Sequence, residues 1–179
     1  MDRTDIETAP DARAAAAAVP FDALPAGSRV WVFAAPRPFD AAERDGLPAL
    51  MDKVLGKWAI KQPGMRGCHA LLEDRFLVVG ADEGREMLDG CSVDAMMSWV
   101  LRLERETGLR LVDRMTVHYR AADGSVRSVS RPEFARLAAA GEVTDATHVF
   151  DTTVSRVDDL RAGRFELPAR DAWHGRAFF

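Results

Sequence analysis

The sequence predicts an α+β fold, and three observations carry that expectation. Residues 29–35 and 75–81 are apolar at consecutive rather than alternate positions, as in strands covered on both faces. Residues 40–59 and 92–107 repeat apolar side chains at helical spacing. Residues 114–120 alternate and run into an Asp123-Gly124 hairpin turn.

Residues 1–20 read as a disordered N-terminal tail ahead of a single globular domain spanning 21–179. They hold Asp2, Asp5, Glu7, Pro10 and an alanine run, with almost nothing to bury. The first strand, 29–35, stops at Pro36 and Pro38. Asp40 and Glu43 make a capping-box pattern that opens a helix. Leu47, Leu50, Met51, Val54, Leu55 and Trp58 form its buried face, and Gly46 and Pro48 predict a kink or restart.

A hairpin of 68–73 and 75–81 turns at Glu73-Asp74, and 84–90 reads as a loop. Ser92 is placed to cap the next helix, with Val93, Met96, Met97, Val100 and Leu103 inward. Gly108 ends that helix, and Leu109 is set to pack back on its last turn. After the 114–129 hairpin, Ser130, Pro132 and Glu133 start a short third helix that Gly141 closes. A strand at 147–150 and an irregular C-terminal segment follow. The hairpin, short helix and strand are similar in pattern to small GYF-like modules.

The first six elements run β-α-β-β-α-β, the order of a ferredoxin-like core. That sheet has spatial order 4-1-3-2, so the two all-apolar strands should lie in its middle. Both helices then share one face, and the C-terminal β-hairpin, short helix and irregular segment should cover the other.

Composition narrows the function classes. The chain has 179 residues, 47% hydrophobic and 29% charged, enough for one self-sufficient core. A net charge of −4, from 24 Lys and Arg against 28 Asp and Glu, gives no long-range pull toward nucleic acid or anionic lipid. Two cysteines, Cys68 and Cys91, with no secretory signal, point to a reducing, cytoplasmic compartment. No apolar run approaches the roughly 18 residues of a membrane span. The sole Gly-Lys pair, Gly56-Lys57, precedes Trp58 and lacks the upstream glycine of a phosphate-binding loop. No cofactor motif is present. His69, His118, His148 and His174 are scattered without metal-ligand spacing, so no metal site is expected.

The catalytic candidates are Cys91, His174 and Asp94. Cys91 precedes the expected N-cap, where free helix amides favour a thiolate, and Asp94 lies in the first turn. His174 sits in a Trp-His-Gly-Arg segment. A thiol with an imidazole base could form a nucleophilic pair. The competing reading makes Cys91 a small buried hydrophobe and Asp94 a complement to the helix dipole. The binding candidates are Arg114, in Asp113-Arg114-Met115, with Trp173 and Arg176. Asp113-Arg114 fits either a carboxylate clamp or a structural ion pair. The remaining tryptophans and the methionines, Met115 included, read as core.

The runs Gly90-Cys91-Ser92-Val93-Asp94, Asp113-Arg114-Met115, Val149-Phe150-Asp151 and Ala172-Trp173-His174-Gly175-Arg176 together resemble a family of small uncharacterised bacterial proteins. Those carry GCSID, DRM and SWHxR motifs and are often labelled "ABC transporter ATPase". The resemblance covers residues 21–179; Val93 stands for Ile and Ala172 for Ser. It implies a bacterial source and a site drawn from Cys91, Asp94, Arg114, Trp173, His174 and Arg176. The absent phosphate loop leaves the label without its chemistry.

The expected function is therefore a non-catalytic binding or regulatory domain, with a thiol-dependent enzyme using Cys91 and His174 as the alternative. Its partner would be a protein or a small-molecule ligand, and a homodimer is compatible with the fold.

Overall fold

The computed structural model describes residues 21–61, 64–82 and 90–179, leaving the expected tail over 1–20 and most of the expected 84–90 loop outside the described residues. The fold is α+β with two antiparallel sheets. Strand β1 (Arg29–Ala34) leads through helix α1 (Ala41–Lys61) to β2 (Arg66–Leu72) and β3 (Phe76–Asp82). Helix α2 (Gly90–Thr107) then precedes the hairpin of β4 (Thr116–Arg120) and β5 (Val126–Ser130). Helix α3 (Arg131–Ala139), β6 (His148–Phe150), α4 (Val157–Arg161), β7 (Glu166–Pro168) and α5 (Trp173–Phe178) complete the chain.

Local signals act where the sequence places them. Asp40 accepts the Glu43 N–H at 2.9 Å and Glu43 accepts the Asp40 N–H at 2.8 Å, a reciprocal cap that satisfies two helix-terminal donors. Helix α1 continues through Pro48 rather than restarting there. An interior proline costs about 3 kcal/mol, and burial of the adjacent Leu47 and of Met51 offsets it. Glu73 and Asp74 both take positive φ, 52° and 48°, and the Arg75 N–H closes their turn on the Leu72 carbonyl at 3.0 Å. Gly108, at φ 73°, ends α2, and Leu109 packs beside Leu103 in the first core, as a left-handed C-cap with a returning apolar residue requires.

The first sheet has order β1-β3-β2, with Trp31 opposite Val79 and Cys68 opposite Gly80. This is three-quarters of the ferredoxin-like order. The fourth strand is absent from it: β4 pairs with β5 and β6 in a second sheet of order β5-β4-β6-β7. The chain leaving α2 touches β1 once, where Leu111 O accepts the Ala34 N–H at 3.2 Å. Asp113 then takes the Met115 N–H and the Thr116 hydroxyl, turning the chain away into β4. Strand β1 is consequently a sheet margin rather than a centre.

Both faces of the first sheet are nevertheless covered. Phe33, Leu77 and Val79 pack under α1 and α2 with Met51, Met96 and Val100. On the opposite face Val30, Phe76 and Val78 meet Phe150, Val154, Val157 and Phe165, so the C-terminal half does cover it. That half is more regular than expected, with α4, β7 and α5 built from the segment read as irregular. Its outer face packs Val117, Tyr119 and Val149 against Phe134 and Leu137. Layers run helix, sheet, sheet, helix.

Being sandwiched changes two readings. His118 is 2% exposed, where the alternation of β4 implied a wet face. Met115, read as core, is 59% exposed, because it lies in the turn before β4.

Candidate functional site

Arg75 is the buried cation between the two sheets. Its guanidinium donates to Pro36 O (2.8 Å), Ser128 Oγ (2.6 Å) and Val126 O (3.1 Å). Burial pushes its pKa down. Ser128 Oγ also lies 2.8 Å from His118 Nδ1. The Ser128 hydroxyl has one hydrogen and two lone pairs, so it accepts from Arg75 and still pairs with His118 Nδ1 in either imidazole tautomer. Burial first, and the Arg75 charge second, lower the His118 pKa to about 4. This cluster ties the hairpin end of the first sheet to β5, and none of its members stood out in the sequence.

The Trp-His-Gly-Arg segment forms α5 and is partly architectural. His174 is 1% exposed, with Phe134 and Phe178 around it. Trp173 stacks on it at 3.8 Å and 28°. Burial lowers the His174 pKa to about 4 against an opposing pull from Asp151. A β-carbon on Gly175 would stand 2.8 Å from both Ala169 O and Arg170 Cα, so this position has no room for a larger residue.

The other face of Trp173 carries chemistry. Arg131, the first residue of α3, places its guanidinium 4.8 Å from the Trp173 ring centroid, a cation–π contact. Trp173 Nε1, Arg131 Nε and His174 Nδ1 are buried and have no hydrogen-bond partner among the described residues. The Arg131 N–H donates to Met115 O at 2.9 Å, which brings α3 next to Arg114. Neither Arg114 nor Arg131 has a carboxylate partner among the described residues. The neighbouring Asp113 is engaged by Met115 N, Thr116 and, at 3.9 Å, Arg110, and its pKa is lowered, first by the backbone hydrogen bond.

Arg114, Arg131 and Trp173 line one cleft of about 420 Å³. Its floor is β1 from Val30 to Ala34, its walls are residues 111–114 with Thr116 and residues 152–155, and Met97 of α2 closes one side. Glu104 builds the first wall by accepting the N–H groups of Leu111 and Val112. The lining combines apolar carbons, hydroxyls, the hydrogen-bonded Asp113 carboxylate and the Arg114 and Arg131 guanidinium groups, which have no carboxylate partner among the described residues, a set suited to an anion on an apolar body. A second groove of about 320 Å³, between α1 and α2, is apolar with Lys53, Lys57 and Arg102 on it. It lies over the helix layer, away from the three residues that gather in the cleft.

The structure thus brings Arg114 and Trp173 together and adds Arg131, which the sequence reading missed. Arg131 follows the Ser130 cap, and nothing local distinguishes it from a surface arginine. Arg176 is exposed on α5 and does not line the cleft. Asp94 is exposed on α2, one turn before Met97. Helix α2 begins at Gly90, which puts Cys91 within its first turn rather than ahead of it; the Cys91 side chain lies outside the described residues. An imidazole held neutral to about pH 4, as His174 is, makes a weak base for a thiol. Among the described residues no group of three or more His, Cys, Asp or Glu could hold a metal ion, and no helix is long and apolar enough to cross a membrane.

No family model, no curated protein and no solved structure matches the chain.

Proposed function

We propose that this chain is a non-catalytic binding domain of the bacterial cytoplasm whose cleft takes a carboxylate- or phosphate-bearing ligand with an apolar body. One observation carries the reading: Arg131, at the cleft wall, is held by the Trp173 ring at 4.8 Å and not by any carboxylate among the described residues. A guanidinium pre-oriented by an aromatic face keeps its planar fork available for bidentate recognition of an anion. Arg114 supplies a second fork, and the apolar floor of β1 and Met97 supplies the contact area that gives such a ligand its affinity.

The test is titration of the full chain with hexanoate and with hexyl phosphate, read on the tryptophan indole N–H resonances by nuclear magnetic resonance. The Trp173 signal, assigned through Trp173→Phe, should shift on titration. Arg131→Gln and Arg114→Gln should each weaken binding about tenfold or more, the scale of one charged hydrogen bond. A Trp173 signal unmoved by either probe, or an affinity in both arginine variants equal to that of the unaltered chain, sinks the reading.

A further inference from the structure

The cleft runs along the edge of β1, not over one of its faces. Trp31 and Phe33 pack toward the helices and Val30 toward the second sheet, yet all five residues from Val30 to Ala34 line the cleft. Only a cavity alongside a strand meets consecutive residues of both faces.

The direction of the β1 backbone groups follows from its neighbours. Ala35 N–H donates to Arg75 O at 2.9 Å, so odd-numbered amides point toward β3. Even-numbered groups point outward: Val30 N–H reaches Ser155 O at 2.9 Å, Ala34 N–H reaches Leu111 O, and Ser28 O accepts the Val157 N–H at 3.0 Å. Val32 lies midway, and its outward N–H and C=O have no partner among the described residues. Edge groups of this kind are templates for another strand.

We propose that the occupant of the cleft is the C-terminal end of an extended peptide, which pairs with Val32 and places its free carboxylate between Arg114 and Arg131. The inference rests on the anion reading above and names its ligand class. Leu111 and Ser155 clamp β1 two residues either side of Val32, leaving roughly 13 Å of open edge at about 3.3 Å per residue. That admits about three residues of extended chain and excludes a full strand from a second copy. With its terminus at the Leu111 end, where β1 finishes, the peptide runs parallel to β1, and the Val32 N–H and C=O pair with the two peptide residues that flank the one opposite Val32, a β-addition mode of peptide recognition. Arg114 and Arg131 flank Met115 at the Leu111 end of the gap, so the chain terminus points there. Residues before the terminus direct alternate side chains toward Trp31 and Met97 or toward Val154, which favours apolar ones.

The experiment uses the full chain labelled with nitrogen-15. Its probes are a randomised tetrapeptide pool with free C-terminal carboxylates, the same pool C-terminally amidated, and hexanoate. The free-acid pool should slow exchange of the Val32 N–H and shift the Trp173 indole signal. The amidated pool should bind about tenfold more weakly, having lost the charged contact. Val32→Pro removes a donor outside the β1–β3 ladder, a position where edge strands tolerate proline. It should weaken the free-acid pool several-fold more than hexanoate, which loses only apolar contact with the β1 floor and no backbone pairing. If that variant does not fold, the exchange rate of Val32 in the unaltered chain decides. Hexanoate shifting Trp173 while the peptide pool leaves Val32 exchange unaltered overturns the peptide inference and keeps the anion reading. No response to any probe overturns both. Protection of Val32 without peptide, with a dimer in sedimentation, assigns the edge to a second copy and overturns the proposal.

Discussion

The Trp173 indole lies 3.8 Å from the His174 imidazole, nearly parallel to it, and on its far side carries the Arg131 guanidinium. A cation, an aromatic ring and a neutral imidazole are therefore layered from the cleft into the core. The imidazole must stay uncharged, since burial already disfavours its protonated form and Arg131 repels it. His118 is in the same state for the same first reason. Both histidines have folded pKa values of about 4 against roughly 6.5 unfolded. Between these limits the unfolded chain binds protons that the folded chain refuses, so stability falls as pH drops from about 6.5 to about 4. At pH 5 the loss is about 2 kcal/mol per histidine relative to pH 7. Urea unfolding at the two pH values measures it, and His174→Gln should remove about half the difference. A stability unchanged over this interval would contradict the burial of both rings.

Arg75 should be the most expensive single side chain to lose at the junction of the sheets. It is 6% exposed and joins Pro36, Ser128 and Val126. Arg75→Met frees the Pro36 and Val126 carbonyls and the Ser128–His118 pair from part-buried hydrogen bonds, at a cost of about 3 kcal/mol. Arg75→Lys cannot span three acceptors with a fork and should recover less than half. Loss of the charge also relieves His118, so its pKa should rise in Arg75→Met, which histidine proton shifts would record.

Gly175 tests how much of the Trp-His-Gly-Arg segment is packing. In Gly175→Ala the new carbon meets backbone atoms at 2.8 Å, which cannot rotate aside. The expected cost is about 2 to 3 kcal/mol, with α5 displaced and the Trp173 stack disturbed. Gly80→Ala meets Cys68 Sγ, Leu24 Cδ1 and Phe21 Cε1, each at 2.9 Å. These are side-chain ends that can shift, so its cost should be smaller, about 1 kcal/mol. Thermal unfolding of the two variants ranks them, and the reverse order would be inconsistent with the geometry.

Cys68 should be inert in the folded chain. It is 1% exposed on β2, and burial pushes its thiol pKa up to about 11. In a Cys91→Ser chain at pH 7.5, iodoacetamide should label Cys68 only as fast as the protein unfolds. Prompt labelling in native buffer would mean that β2 opens. The complementary Cys68→Ser chain then isolates Cys91, whose reactivity bears directly on the thiol-enzyme alternative.

What could be read from the sequence was what neighbours in sequence decide. The Asp40–Glu43 cap, the Glu73-Asp74 turn, the Gly108 stop and the Ser130 cap on Glu133 each depend on residues at most a few positions apart. The doubly covered strands were legible because consecutive apolar residues need two partners, whichever partners those are. The departure of β4 was not legible. It depends on β6 and β7, three residues each, whose pairing carries no periodic signal. The cleft shows the same division. Arg114 and Trp173 stood out as unusual local contexts, but Arg131 gains its meaning from a ring 42 positions later in the chain. Arg75, His118 and Ser128 were invisible for the same reason, since each is ordinary until two sheets close over it.

Glu104 allows the cleft wall to be tested without touching the residues proposed to meet a ligand. Its carboxylate accepts the N–H groups of Leu111 and Val112, the latter at 2.8 Å, and so fixes the segment whose Leu111 carbonyl clamps Ala34 and which carries Arg114. Glu104→Ala leaves two backbone donors without their charged acceptor, a loss of about 2 kcal/mol in stability. Glu104→Gln keeps one acceptor oxygen and should lose about half as much. As a positioning residue, Glu104 should also act on binding: with the 111–114 wall loosened, hexanoate affinity should fall about tenfold in Glu104→Ala and recover in part in Glu104→Gln, while the Arg131–Trp173 stack stays in place. Hydrogen exchange at Leu111 and Val112, measured with the affinity, separates the outcomes. Faster exchange with unchanged affinity would show that Arg114 needs no fixed wall, and would transfer the binding role to Arg131 alone.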